Sequence, residues 1–353
     1  MRAIPCTEFF RSTLKHYRAP RWLTPPGALG GHVQTIWPAL FGKRFEGAPP
    51  HFRRERWTTP DGDFVDVDWQ DATPSGGHHA PAQQVLLVLF HGLEGSSGSH
   101  YAQAFAHHAK SMGWRYAVPH FRGCSGELNH APRAYHSGDH QEIAWMLQQL
   151  RRAHAGPVVA VGISLGGNAL LRWAQEAGEA ANNTVQAIAA VSAPLDLAAG
   201  AKAIGQGFSH LSYSRMFLRS MKPRALAKWD QHPGLFDRDK LRAARTLYEF
   251  DNIFTAPVHG FVDAPDYYRQ SSAKPQLARI RVPTLVLNAR NDPFLPAEHL
   301  PQVGEVGTHV TLWQPSHGGH VGFPAGRWPG HVLTLPNHVT QWLQAQLGDV
   351  SKS

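Results

Sequence analysis

The sequence predicts an α/β chain with a mainly parallel central sheet, flanked by helices and carrying an inserted, largely helical cap. Three observations predict it. From Val85 onward, short continuous apolar runs alternate with amphipathic helical stretches, the pattern of strands buried on both faces between covering helices. One run, "VVAVGI" (Val158 to Ile163), passes through Gly162-Ile163-Ser164-Leu165-Gly166 straight into a helical pattern. Between Asp196 and Ile280 the strands stop, and polar-aromatic text such as "SHLSYSRMFLRSMKPRALAKWD" reads as helical.

Taken in order, residues 1–50 read as an irregular, Pro/Gly-rich N-terminal extension centred on "GGHVQTIWPALF" (Gly30 to Phe41). "RRERWTTPDGDFVDVDW" reads as a hairpin turning at Asp61-Gly62, with alternation at Phe64, Val65, Val67 and Trp69. "ATPSGGHHAPAQ" is a loop, and "VLLVLF" (Val85 to Phe90) is a buried strand. Tyr101 to Met112 is helical, "RYAVPHF" a strand, and Asp139 with Glu142 a capping box opening a helix whose Ile143, Met146, Leu147 and Leu150 share one face. Asn168 to Ala177 forms a helix closed by Gly178. "VQAIAAVSAP", "PTLVLNA" and "HVTLWQ" are strands, and Asn337 to Leu347 is the closing helix. No linker divides the chain, so residues 1–353 are expected to form one domain. Its core covers about 51–195 and 281–350, and its cap about 196–280, over the carboxyl ends of the strands, where open α/β sheets bind ligands.

The chain has 353 residues, 42% apolar and 17% charged, a composition of globular proteins. No apolar run approaches the roughly 20 residues of a membrane span, and the N-terminus lacks a signal-peptide core. Two cysteines, Cys6 and Cys124, make no disulfide framework and fit a reducing compartment, so a cytoplasmic location is expected. The net charge is +8. Basic residues are scattered, and even the densest run, "HFRRERW", contains a glutamate, so no nucleic-acid partner is expected. Attraction to anionic lipid surfaces stays open, as does the oligomeric state.

Gly162-x-Ser164-x-Gly166 between a buried strand and a helix is the setting of a nucleophile elbow. The turn is tight enough that a side chain at Gly162 or Gly166 would strike neighbouring backbone, and Ser164 is forced outward in a strained conformation. The helix behind it supplies N–H groups and a positive dipole end. A lone motif of this kind is weak evidence; order strengthens it. Asp292 follows the strand in "TLVLNARNDPF", and His317 and His320 follow the next in "VTLWQPSHGGHVGF". Ser, Asp, His is the chain order of an α/β-hydrolase fold. "LLVLFHGLEGSS" ends a strand at His91-Gly92-Leu93, so the backbone N–H groups of Leu93 and Leu165 are the expected oxyanion donors. His320, preceded by Gly318-Gly319 and followed two residues on by Gly322, is preferred to His317, which is expected to bond locally. Gly322 is expected to permit close approach to the elbow. If Asp292 is not the acid, Asp263 or Asp266 are the substitutes.

The stretches "GGHVQTIWPALF", "HGLEGSSGSHY", "PHFRGCSGELNHAPRAYHSGD", "VGISLGGNALLRW", "NARNDPF" and "GGHVGF" resemble the YheT-like branch (AB hydrolase 4 family) of the α/β-hydrolase superfamily. The similarity runs from about Gly30 to Phe323. It implies a carboxylic-ester hydrolase with Ser164, Asp292 and His320 as charge-relay residues, acting on a small-molecule ester, lipid esters included. No cofactor is expected, and no metal, because no carboxylate or cysteine accompanies His317-x-x-His320 at motif spacing. Where the family often has Asp-Asp-Pro-Phe, Asn291 precedes Asp292. Arg122 and Glu127 are expected to pin the "FRGCSGE" loop, and Cys124 to be a structural loop residue. Two other readings stay open: acyl transfer to an alcohol through the same residues, and a non-catalytic lipid-binding protein on a hydrolase scaffold. Phe208, Leu211, Tyr213, Met216, Phe217 and Leu218 in the cap point to a lipophilic substrate or to the cap's own core.

Overall fold

The computed structural model of the protein describes residues 14–25, 27, 29–71 and 84–348. Cys6 and the expected loop at 72–83 lie outside them. Eight strands form one sheet in the order β1-β2-β4-β3-β5-β6-β7-β8: β1 (Arg53–Thr58), β2 (Phe64–Gln70), β3 (Leu86–Phe90), β4 (Arg115–Pro119), β5 (Val158–Ile163), β6 (Ala187–Val191), β7 (Thr284–Leu287) and β8 (Val310–Trp313). β1 and β2 make the expected antiparallel hairpin, and from β4 to β8 every neighbour is parallel. The hairpin's Arg54 and Arg56 form paired bonds to Asp68 and Asp66, so much of the basic run is matched by carboxylates.

The alternation of side chains along a strand divides the core in two. Leu86, Val88 and Phe90 of β3 pack with α3 (His140–Ala153) and α4 (Leu165–Ala177) on one face. Leu87 and Leu89 pack with α2 (His100–Ser111) and α9 (Thr334–Gln346) on the other. Each such side chain contributes about 1.5–3 kcal/mol when fully buried. A one-residue slip would exchange the two faces, so the register that delivers the loops to one edge is firmly set.

Between β6 and β7 the described elements are all helical, among them α5 (Leu197–Ile204), α6 (Arg215–Gln231), α7 (Arg238–Ala243) and α8 (Ala264–Ser271). Ile204, Tyr213, Leu218, Leu241, Phe250 and Phe254 form a small core of their own there.

Two expectations fail for instructive reasons. Residues 29–41 are not irregular: they form α1 (Leu29–Phe41), a 13-residue helix despite two glycines and Pro38. Gly31 sits so close to the backbone carbonyl of Asn291 that any side chain would collide with it. The close tertiary contact outweighs the poor helix propensity. At α3, Asp139 is the N-cap residue but makes no side-chain cap bond. Its carboxylate pairs with Arg133, and Glu142 accepts from Arg122 at 2.6 Å, so longer-range ion pairs displace the local capping box.

Candidate active site

β5 ends at Ile163, and the chain reverses at Ser164, which has φ 52° and ψ −120°. The Ser164 N–H donates to the Val191 carbonyl of β6 at 2.8 Å, and α4 begins at the next residue. A Cβ on Gly162 would lie 2.5 Å from the Gly166 carbonyl oxygen, and one on Gly166 2.5 Å from that of His91. Such distances are not tolerated, so both positions require glycine and the serine hydroxyl is presented at a strained turn.

Asp292 lies five residues beyond β7 and His320 seven beyond β8, so both reach the sheet edge where β5 ends. His320 Nε2 is 2.9 Å from Ser164 Oγ, and His320 Nδ1 is 2.9 Å from Asp292 Oδ2. One tautomer satisfies both contacts: Nδ1–H donates to the carboxylate and Nε2 accepts a hydrogen bond from the serine hydroxyl. Asp292 is buried, and its other oxygen accepts the Phe294 N–H at 2.8 Å. The Phe294 ring stacks on the imidazole at 4.0 Å between centroids.

Other candidates are placed elsewhere. Asp263 caps α8, and Asp266 is held by Arg269 and Gln270. His317 makes no local bond through Nδ1, which is buried without a partner among the described residues. Gly322 packs against the Gln34 carbonyl of α1, not against the elbow, because the loop folds back under that helix. Arg122 binds Asp61, Asp63 and Glu142, while Glu127 pairs with Arg56. The loop is thus pinned by distant partners and not by an internal Arg122–Glu127 pair. Cys124 is buried and its thiol pushed up to about 12 by burial, which removes it as a nucleophile.

The expected oxyanion donors, the N–H groups of Leu93 and Leu165, have no hydrogen-bond acceptor among the described residues. The loop carrying Leu93 is braced on both sides. Gly92 N–H donates to the Tyr101 hydroxyl, and Glu94 N–H to that of Tyr135. His91 is fully buried with both ring nitrogens engaged, by Gly92 O and Phe121 N–H; burial brings its pKa down to about 3, so it stays neutral. It is a structural loop histidine.

Sequence reasoning missed the brackets of the His320 loop. Thr35 Oγ1 of α1 accepts the His320 N–H at 2.9 Å, and Gln34 Oε1 accepts the Gly318 N–H. Asn291 donates to Gln34 Oε1 and accepts from Gly319 N–H, a double role that an ionised Asp could not fill. Ser192 Oγ, at the end of β6, accepts the Val321 N–H at 3.1 Å. No local pattern marks these residues, although Gln34, Thr35 and Asn291 fall within stretches that carry the resemblance.

An apolar cavity opens at Ser164, walled by Leu93, Leu197, Ile204, Phe217, Phe250 and Phe254. The half-buried carboxyl of Asp251 lines it with no basic partner among the described residues, is pushed up to about 6 by burial, and is bonded by the hydroxyls of Thr255 and Tyr268. Of the cap aromatics and aliphatics singled out above, Phe217 lines the cavity and Tyr213 and Leu218 are buried in the cap's core. Phe208, Leu211 and Met216 face solvent.

A strained serine turn at the edge of a largely parallel sheet, with aspartate and histidine loops after the last two strands, is the architecture of the α/β-hydrolase fold. The family model for the alpha/beta hydrolase fold matches residues 85–326, and the chain belongs to that family. Within it the chain belongs to the YheT-like branch. It is 41% identical over 320 residues to "Putative esterase YheT" of Escherichia coli, covering 90% of this chain and 91% of the relative. "Phospholipase ABHD3" of Mus musculus is 26% identical over 289 residues, covering 81% and 70%. Among solved structures, the Pyrococcus furiosus esterase Pf2001 shares the fold, with a TM-score of 0.51 at 14% identity over 86% of this chain and 96% of that one. The chain is therefore an esterase-like α/β-hydrolase.

Proposed function

We propose that the protein is a serine carboxylic-ester hydrolase working through an acyl-enzyme. The observation that carries this reading is the unbroken chain from Asp292 through His320 to Ser164, at 2.9 Å and 2.9 Å, ending on a strained serine at an apolar cavity. His320 Nε2 takes the hydroxyl proton as Ser164 Oγ bonds to the ester carbonyl carbon, and Asp292 stabilises the imidazolium. The carbonyl oxygen, now negative, is received by the free N–H groups of Leu93 and Leu165. One such donor is worth roughly 2.7–4 kcal/mol of barrier. The ester C–O bond breaks as His320 returns the proton to the departing alcohol. Water, deprotonated by His320, then attacks the acyl-serine, and the carboxylic acid leaves with Ser164 reprotonated.

The apolar wall supports a lipophilic acyl group of short to medium length, and residues 196–280 act as a cap over it. A lipid ester agrees with the name carried by the mouse relative. The two-cysteine content supports the cytoplasm as its location. The test is hydrolysis of p-nitrophenyl esters of graded chain length by wild type and Ser164→Ala. Turnover that vanishes in the variant is expected; a variant with wild-type kcat/KM would remove Ser164 from the mechanism.

A further inference from the structure

Helix α1 is amphipathic in the wrong sense for a surface helix. Its buried face consists of Gly30, Gly31, Gln34, Thr35 and Pro38, small or polar residues that clamp the His320 loop. Its outer face carries Leu29, Val33, Trp37, Leu40 and Phe41 at i, i+3/i+4 spacing, while Ile36 packs against the cap's core. Leu40 is 64% and Phe41 56% exposed. A surface helix ordinarily buries its apolar stripe, so an outward stripe needs something to cover it.

The stripe extends beyond the helix. Trp37 packs against Trp22, Phe41 and Trp328, and Trp328 is 70% exposed. The indole N–H groups of Trp22 and Trp37 are satisfied by the carbonyls of Gly326 and Pro329. At the other end His32 meets Phe208 and Tyr213 of the cap, next to exposed Leu211 and Met216. Charge around the patch is one-sided. Residues 14–47 contain five basic side chains against one acid, Glu46, and residues 205–222 contain three and no acid. Exposed Arg21, Arg215, Arg219 and Arg327 belong to these segments or adjoin Trp328.

From this we infer that α1, the Trp22/Trp328 cluster and the exposed cap residues form a docking surface for an anionic phospholipid membrane. Indoles and aliphatic side chains enter the headgroup boundary, and the arginines meet lipid phosphates. Trp and Leu rimmed by Lys and Arg is the composition of an interfacial element, and each basic residue near an anionic surface adds attraction that salt screens. No helix among the described residues is long and apolar enough to cross a membrane, so contact is peripheral. Because the buried face of α1 holds the His320 loop, docking would bring the cavity mouth beside its lipid source. That consequence rests on the ester-hydrolase reading, whereas the docking itself does not.

The test is co-sedimentation of the full chain with vesicles of equimolar phosphatidylcholine and phosphatidylglycerol, or of phosphatidylcholine alone. Wild type is expected to bind the anionic vesicles, with blue-shifted tryptophan emission, and to be released by salt. Leu40→Gln with Phe41→Gln should lower partitioning by about tenfold or more, since two exposed apolar groups no longer enter the bilayer. Val303→Gln, at a still more exposed valine outside the patch, should bind as wild type. Circular dichroism checks that the double variant is folded, and its turnover of a water-soluble short ester should match wild type. Failure of wild type to bind, or binding undiminished in the folded double variant, would overturn the inference. So would a wild-type dimer in sedimentation velocity that the double variant abolishes without vesicle binding, because a second copy would then be the cover. Loss of short-ester turnover in wild type, with vesicle binding intact, would count against the hydrolase reading alone.

Discussion

The turn at Ser164 and the loop at His320 present two atoms 2.9 Å apart, yet they are held in opposite ways. The serine is fixed by its immediate surroundings: Gly162, Gly166, the start of α4 and one bond to the adjacent strand at Val191. The histidine is fixed from far away in the chain. Its own N–H is held by Thr35, 285 positions earlier, and the flanking amides by Gln34, Asn291 and Ser192. The serine's geometry therefore follows from backbone sterics where β3, β5 and β6 meet, and the histidine's geometry depends on the N-terminal helix docking correctly. Activity should be sensitive to residues that never approach a substrate, but only on the histidine side.

Removing the histidine itself should have the largest effect on that side. His320→Ala is expected to lower kcat/KM by about 10⁴-fold or more, in line with loss of a triad member. Asp292→Asn should lower kcat by about 10⁴-fold, because the amide favours the wrong imidazole tautomer. A normal Asp292→Asn enzyme would mean that another carboxylate serves. Thr35→Val keeps the shape of the clamp but leaves the His320 N–H without its acceptor. We expect a fall of about 10- to 100-fold, mostly in kcat, from a displaced base. Thr35→Ser should restore most of it, a split that general destabilisation of α1 would not produce. The smallest effect is expected from His317→Ala, less than about tenfold in kcat/KM, since His317 makes no hydrogen bond to any of the three side chains. If His317→Ala fell further than His320→Ala, the assignment of the base would be reversed.

The same contrast explains what could be read in the sequence. The elbow is legible because the glycine pair bracketing a serine after "VVAV" is written in the chain itself, although the carbonyls of His91 and Val191 that complete its constraints come from other strands. Asp292 and His320 are legible because each follows an apolar strand at short distance. α1 is not, since Gly30, Gly31 and Pro38 argue locally against a helix, and only the contact with Asn291 shows why glycine is needed at position 31. The partners of Arg122, Asp139 and Glu142 are equally hidden, because six charged side chains, Asp61, Asp63, Arg122, Arg133, Asp139 and Glu142, choose among one another only once the fold brings them together.

The central claim is that the hydroxyl of Ser164 is the attacking atom, activated by the Asp292–His320 pair. Its most direct test is to react the wild-type protein with a fluorophosphonate and locate the adduct by peptide mass spectrometry. A single adduct on Ser164, formed far more slowly in His320→Ala, is the result this account predicts. An unlabelled protein, or an adduct on any other residue with Ser164 free, would contradict it.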